Sequence, residues 1–263
     1  MASPRQRAAR WRAVQYAVLV LILVAIGFLA DWGELRRAFF DWELVKEQFP
    51  DVITIALKNT IIYTACGFAF GLVLGLILAL MRLSSIGPYR WISTGIIELF
   101  RGLPALVVFI SLSTGFSLAF PDREIPFGNL GIVTLALGLV GGAYMAETIR
   151  AGIQAVPRGQ MEAARSLGMS HSRAMVSVVI PQAFRIILPP LTNELILLTK
   201  DSSLIYLLGL ALSGYELTKF GREAMNANAN MTPIIVVGLC YLLITVPLSI
   251  VVRRMESRAE RAR

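Results

Sequence analysis

The sequence predicts an all-helical protein embedded in a membrane, with about six transmembrane helices. Three observations lead there. Of 263 residues, 56% are hydrophobic and only 16% are charged, against about 45–50% and about 25% in a soluble domain. The apolar residues gather in runs that match a span of about 20 residues across a hydrocarbon core of about 30 Å. Arginine and lysine fall unevenly on the two sides of those runs.

Six runs qualify: Ala13–Ala30, Ile53–Met81, Trp91–Phe120, Leu130–Ile149, Ile186–Leu212 and Pro233–Val252. Each is expected to be a helix, because an open sheet would leave backbone groups unsatisfied in lipid. The second, third and fifth exceed a minimal span, so tilt, breaks or extension into water are expected. The first has a basic start and small residues before Asp31, as a secretory leader has. Its apolar run is longer than a leader requires, and it is expected to persist as a helix.

Orientation follows from the basic residues. With the N-terminus in the cytoplasm, sixteen fall in cytoplasmic segments, including Arg5, Arg7, Arg10, Arg258, Arg261 and Arg263 at the two ends. Six fall on the opposite side: Arg36, Arg37, Lys46, Arg123, Lys219 and Arg222. Both termini are therefore expected in the cytoplasm. The net charge of +8 reflects this topology, and no basic patch marks a nucleic-acid partner. The contact expected from composition is with membrane lipid.

Chemistry has little to work with. Cys66 and Cys240 lie inside apolar runs, where a thiol behaves as a small hydrophobe. His171 is the single histidine, so neither metal ligation nor a catalytic set is expected. None of Lys46, Lys58, Lys200 and Lys219 follows Gly or precedes Ser or Thr, so no phosphate-binding loop of the Gly-Lys-Ser/Thr type exists. Any ATP energy must come from another chain.

The longest polar interruption is Arg150–Arg185. Pro157 suits a helix start and Gly168 suits a helix end, so a helix of about two to three turns is expected between them, with Ala163 and Ala164 on its surface and Glu162 and Arg165 giving it charge. Ser170 suits the cap of a second short helix that Pro181 interrupts, and Pro189 and Pro190 would open the next span. Such a loop helix either docks a partner or lies on anionic lipid.

Several ionisable groups fall inside spans, where each costs at least about 2.5–3.5 kcal/mol on insertion scales. Glu98 and Arg101 are three apart and expected to pair. Arg101 lies about 14 Å along its span, near the midplane, and Gly102 and Pro104 should break the helix there. Lys200 and Asp201 are similarly deep in the fifth span. Two readings stand: a polar translocation path, or charges that neutralise neighbours and lock packing. Tyr144–Glu147 sits just before the loop and is expected to support it, with gating second. Gly71 and Gly75 permit close helix contact, a spacing too common to carry function.

Glu162-Ala163-Ala164, then Gly168, then Pro181-Gln182-Ala183-Phe184-Arg185 and Leu188-Pro189-Pro190 closely resemble the EAA loop of bacterial ABC importer permeases. Three further strings are similar to the polar amino-acid subfamily: Glu98-Leu99-Phe100-Arg101-Gly102-Leu103-Pro104, Gly142-Ala143-Tyr144-Met145-Ala146-Glu147 and Lys200-Asp201-Ser202-Ser203-Leu204, together with Asn193-Glu194. The resemblance covers about Lys58 to Arg254. It implies a type I permease core of five helices in residues 52–253. Residues 1–51 would add a basic tail, an extra helix and an extracytoplasmic loop, and 254–263 a basic cytoplasmic tail.

The resemblance also implies roles. Glu162, Ala163, Ala164 and Gly168 would couple to a cytoplasmic ABC ATPase dimer, which would hold the ATP and Mg, with no cofactor in this chain. Glu98, Arg101, Asn193, Glu194, Lys200 and Asp201 are candidates for the translocation path. A second permease chain and an extracytoplasmic solute-binding protein would complete the importer, in a bacterial inner membrane. The rival readings are a secondary transporter driven by an ion gradient and a membrane scaffold that moves nothing.

Overall fold

The computed structural model describes residues 4–123 and 125–261, with side chains from 11 to 123 and from 125 to 257. The side chains of Arg5, Arg7, Arg10, Arg258, Arg261 and Arg263 lie outside the described residues. Every regular element among the described residues is helical.

Five continuous helical runs are long and apolar enough to span a bilayer: Trp11–Leu29, Val52–Leu83, Gly128–Gln154, His171–Leu208 and Thr232–Ser257. The third expected span, Trp91–Phe120, is a bent pair, α5 (Gly87–Gly102) and α6 (Ala105–Ala119), which meet at 102°. Leu103 and Pro104 form the corner. Pro104 caps α6 without an N–H, and Leu103 before it is held extended. The break expected at Gly102 and Pro104 is present, and it divides the span.

The first helix, α1 (Pro4–Leu29), packs none of its spanning window inside the chain. Two short helices follow, α2 (Trp32–Phe39) and α3 (Trp42–Glu47), capped by Asp31 and Asp41. They are tied to the far end of the bundle. Ala38 O accepts from Met231 N at 2.8 Å, Arg37 O from Asn230 Nδ2 at 2.7 Å, and Thr232 Oγ1 from Asp41 N at 2.9 Å.

The bundle centres on α4 (Lys58–Leu83), α7 (Gly128–Gln154) and α10 (Ile180–Asp201), with α12 (Thr232–Arg261) beside α10. α4 and α7 meet through glycines. A Cβ on Gly75 would stand 2.9 Å from Gly142 O and 3.0 Å from Met145 Cβ, and one on Gly71 would stand 3.2 Å from Gly138 O. With no hydrophobic drive between helices in lipid, close backbone approach supplies the attraction. The expected close contact at Gly71 and Gly75 is thus present, with backbone of α4 against backbone of α7. Gly75→Val should cost about 1–3 kcal/mol by overpacking, read as a lower Tm in detergent. Gly238→Ala, on α12 with nothing within 4 Å of the added carbon, should keep or slightly raise Tm, since Ala is the better helix former.

The fifth span departs from expectation. Helix continues without interruption from α9 (His171–Ala174) through a π-helical turn at Met175–Val179 into α10, then into a 3₁₀ segment, Ser202–Leu208. Pro181 continues this run, and Pro189 and Pro190 lie inside α10. Pro181 is tolerated in the first turn of α10, where the wide π turn precedes it. The two carbonyls that Pro189 and Pro190 leave free are the cost of the internal pair, and neighbouring helices make that tolerable in a membrane bundle.

Opposite the loop end, Glu216 is fully buried. It caps α11 (Leu217–Asn228), accepting from Thr218 N at 2.5 Å and Lys219 N at 2.6 Å, and Tyr241 on α12 donates to it at 3.0 Å. Leu217 N donates to Thr60 Oγ1 on α4 at 3.1 Å, and Tyr63 Oη to Gly214 O at 3.1 Å. Burial pushes the Glu216 carboxyl up to about 7, while hydrogen bonds from Thr218, Lys219 and Tyr241 pull the other way. A carboxyl whose folded pKa is raised stabilises the fold most below its unfolded value, 4.5, and loses that contribution as pH climbs through about 7. Tm of the purified chain should therefore fall between pH 5 and 8, and Glu216→Gln should flatten that slope.

Candidate functional site

Two features at the loop end and the bundle centre carry chemistry. The first is the short helix α8 (Arg158–Ser166), which follows α7 after Pro157. Pro157 stands at its N-cap, as the sequence predicts. Its C-terminus closes with Leu167 N donating to Ala163 O and Met169 N to Ala164 O, while Gly168 takes φ +83. That left-handed turn is open to Gly with little strain, and a Cβ there would meet nothing within 4 Å. Glu162, Ala163 and Gly168 are exposed, whereas Ala164 is buried against the chain. This corrects the expectation that both alanines face outward. α8 makes just two and a half turns, so adjacent alanines point about 100° apart. Leu167, an apolar residue that nothing in the sequence pattern marks, is 83% exposed beside them. Gln182 Nε2 donates to Gln160 Oε1 at 3.3 Å, holding α8 to the start of α10.

The second is a cavity of about 500 Å³ at the α5–α6 corner, closed by α7 and α10. Arg101, Tyr144, Glu194 and Asp201 supply its polar groups, and Leu103, Pro104, Val140, Gly141, Leu197 and Leu198 its apolar wall. The bend creates it: Arg101 sits in the last turn of α5, so its side chain enters the corner. Its guanidinium lies 5.5 Å from the Tyr144 ring centroid, a cation–π contact, and Tyr144 Oη donates to Arg101 O at 3.5 Å. A cavity with one cation and two carboxyl groups around an apolar wall can hold both ends of a small zwitterion.

Of the six candidates for the path, the structure brings Arg101, Glu194 and Asp201 together. The other three lie elsewhere. Glu98 is exposed and stands 3.8 Å from Arg82 on α4, so the expected Glu98–Arg101 pair is not formed. Spacing of three lets two residues meet, but Arg101 turns into the corner instead. Asn193 is exposed in a separate groove between α10 and α12 with Pro190, Ser249, Arg253 and Glu256. Lys200 is exposed and outside the cavity wall, although it neighbours Asp201. One residue on a helix turns the side chain by about 100°, which separates Asn193 from Glu194 and Lys200 from Asp201.

Between cavity and loop lies an ion network of partly buried side chains. Glu147 accepts from Arg82 Nη1 at 2.8 Å and from Arg150 Nε at 3.1 Å, and pairs with Arg150 Nη2 as well. No group of residues suited to a metal ion occurs among the described residues.

Residues 71–261 match the family of binding-protein-dependent transport system inner membrane components. The chain belongs to that family. This permease is 35% identical over 205 residues to a probable glutamine ABC transporter permease protein of Bacillus subtilis, covering 78% of this chain and 91% of that one. It is 36% identical over 222 residues to an L-cystine transport system permease of the same organism, covering 84% and 92%. A crystal structure of an amino acid ABC transporter with histidines superposes with TM-score 0.73 at 34% identity, covering 83% of the permease and 98% of that chain. The permease is thus a multi-pass inner-membrane protein and a transport subunit, not a catalytic enzyme.

Proposed function

We propose that this permease carries a polar amino acid into the cytoplasm through the cavity at the α5–α6 corner, driven by a separate ATPase that docks on α8. The observation that carries the reading is the pairing of a charged cavity among the spanning helices with an exposed loop helix in a chain of this family. The relatives named for glutamine and L-cystine, and the structure named for an amino acid transporter, support a polar amino acid as cargo.

Arg101 would meet the substrate carboxylate, and Glu194 or Asp201 its ammonium group. Glu162, Ala163 and Gly168, with Leu167 beside them, would form the ATPase contact, and Ala164 would seat α8 on the bundle. ATP and Mg would reside on the ATPase dimer, since this chain lacks a phosphate-binding loop. A second permease chain would complete the passage, and a solute-binding protein would deliver substrate on the side of α2, α3 and α11. Both termini would then face the cytoplasm with α8, as the basic residues indicate.

The test is purification of the tagged chain from its native membrane in mild detergent, with mass spectrometry of what comes with it. An ABC ATPase subunit is expected. A chain that emerges alone, yet moves substrate under an ion gradient, would overturn the reading.

A further inference from the structure

Tyr144, Glu147 and Arg150 recur every three residues along α7, and each touches a different part of the machine. Tyr144 lies under the Arg101 guanidinium in the cavity wall. Glu147 is shared by Arg82, from the end of α4, and by Arg150. Arg150 Nη1 in turn donates to Gln154 Oε1 at 2.6 Å, on the last residue of α7, three before Pro157 and the start of α8. Arg82 also reaches Glu98 at 3.8 Å, one turn before Arg101 on α5. The contacts close a circuit: Arg101 to Tyr144, along α7 to Glu147, across to Arg82, on to Glu98, and along α5 back to Arg101.

We propose that Glu147 is a positioning residue that holds the cavity wall and the root of the α8 loop in one register, so that displacement of α8 reaches Arg101. The inference rests on the transport reading above. One carboxylate between two guanidiniums suits the task, because it satisfies both cations while joining α4 to α7. Without its charge, Arg150 would lose its carboxylate and Arg82 would keep only Glu98, so the ionic tie from α7 to Arg82 would be lost. Arg150 and Gln154 would still bond within α7, so the loop itself should keep its shape.

The test uses the whole complex in proteoliposomes, with amino-acid uptake and ATP hydrolysis measured together. Glu147→Gln should assemble and hydrolyse ATP, yet move about tenfold less substrate per ATP, a typical coupling between sites. Glu147→Asp should restore part of the ratio. Arg82→Gln, which cuts only the link to α4 and α5, should lower it as well. An unchanged ratio in Glu147→Gln, or uptake and hydrolysis falling by one common factor, would overturn the proposal. Failure of both Glu147→Gln and Arg82→Gln to assemble would make the network purely structural and overturn it too. Wild-type complex that shows no ATP-dependent uptake would instead refute the transport reading itself.

Discussion

Arg101→Ala should lower the initial rate of amino-acid uptake about tenfold or more, while the amount of ATPase recovered with the permease stays at the wild-type level. Among the described residues, Arg101 is the one cation in the cavity wall, and a hydrogen bond to a charged group is worth about 1.5–3 kcal/mol. Losing it would leave a substrate carboxylate desolvated beside Glu194 and Asp201, which adds repulsion to the lost attraction. Arg101→Lys keeps the charge but not the planar fork, so it should fall between wild type and Ala. The rival account is that Arg101 locks packing through the Tyr144 ring. On that account assembly and uptake decline together, which quantifying the co-purified ATPase against uptake would reveal.

Gly168→Val should abolish recovery of the ATPase while leaving the permease folded in the membrane. Gly168 holds φ +83 at the end of α8, and a β-branched residue is a genuine outlier there. The added carbon meets nothing inside the chain, so the damage is confined to the turn and the exposed surface around it. The bonds that end α8, from Leu167 N and Met169 N, would be lost with the turn, and Leu167 would be re-aimed. Gly168→Asn, which accepts the left-handed region more readily, should retain part of the ATPase. Co-purification from membranes, with Tm as the control for folding, separates the two effects. Wild-type recovery with Gly168→Val would remove α8 as the docking element.

Hydropathy was enough to locate the membrane runs, because lipid imposes a length and a composition that no soluble context mimics. The corner at Gly102–Pro104 and the short α8 between Pro157 and Gly168 were legible for a related reason: Pro and Gly act on their own backbone. Partners across helices were not legible. Glu98 is as well spaced to meet Arg101 as to miss it, and its actual neighbour, Arg82, comes from another helix. Arg82 and Glu147 are 65 residues apart, so spacing along one helix carries no sign of their contact. The continuity of α10 through Pro189 and Pro190 was hidden too, since tertiary support decides whether a proline ends a helix or is carried within it. Glu216 escaped notice because Glu is not among the favoured N-cap residues, and its place depends on Thr60 and Tyr241 arriving from α4 and α12. The same holds for α2 and α3, whose ties to Met231 and Thr232 join the two ends of the sequence.

The most direct test of the account is amino-acid uptake by proteoliposomes holding the purified complex, with ATP on the side that α8 faces and a solute-binding protein on the other. Accumulation should require ATP and be indifferent to an imposed proton or sodium gradient. Uptake that follows the gradient and ignores ATP would contradict it.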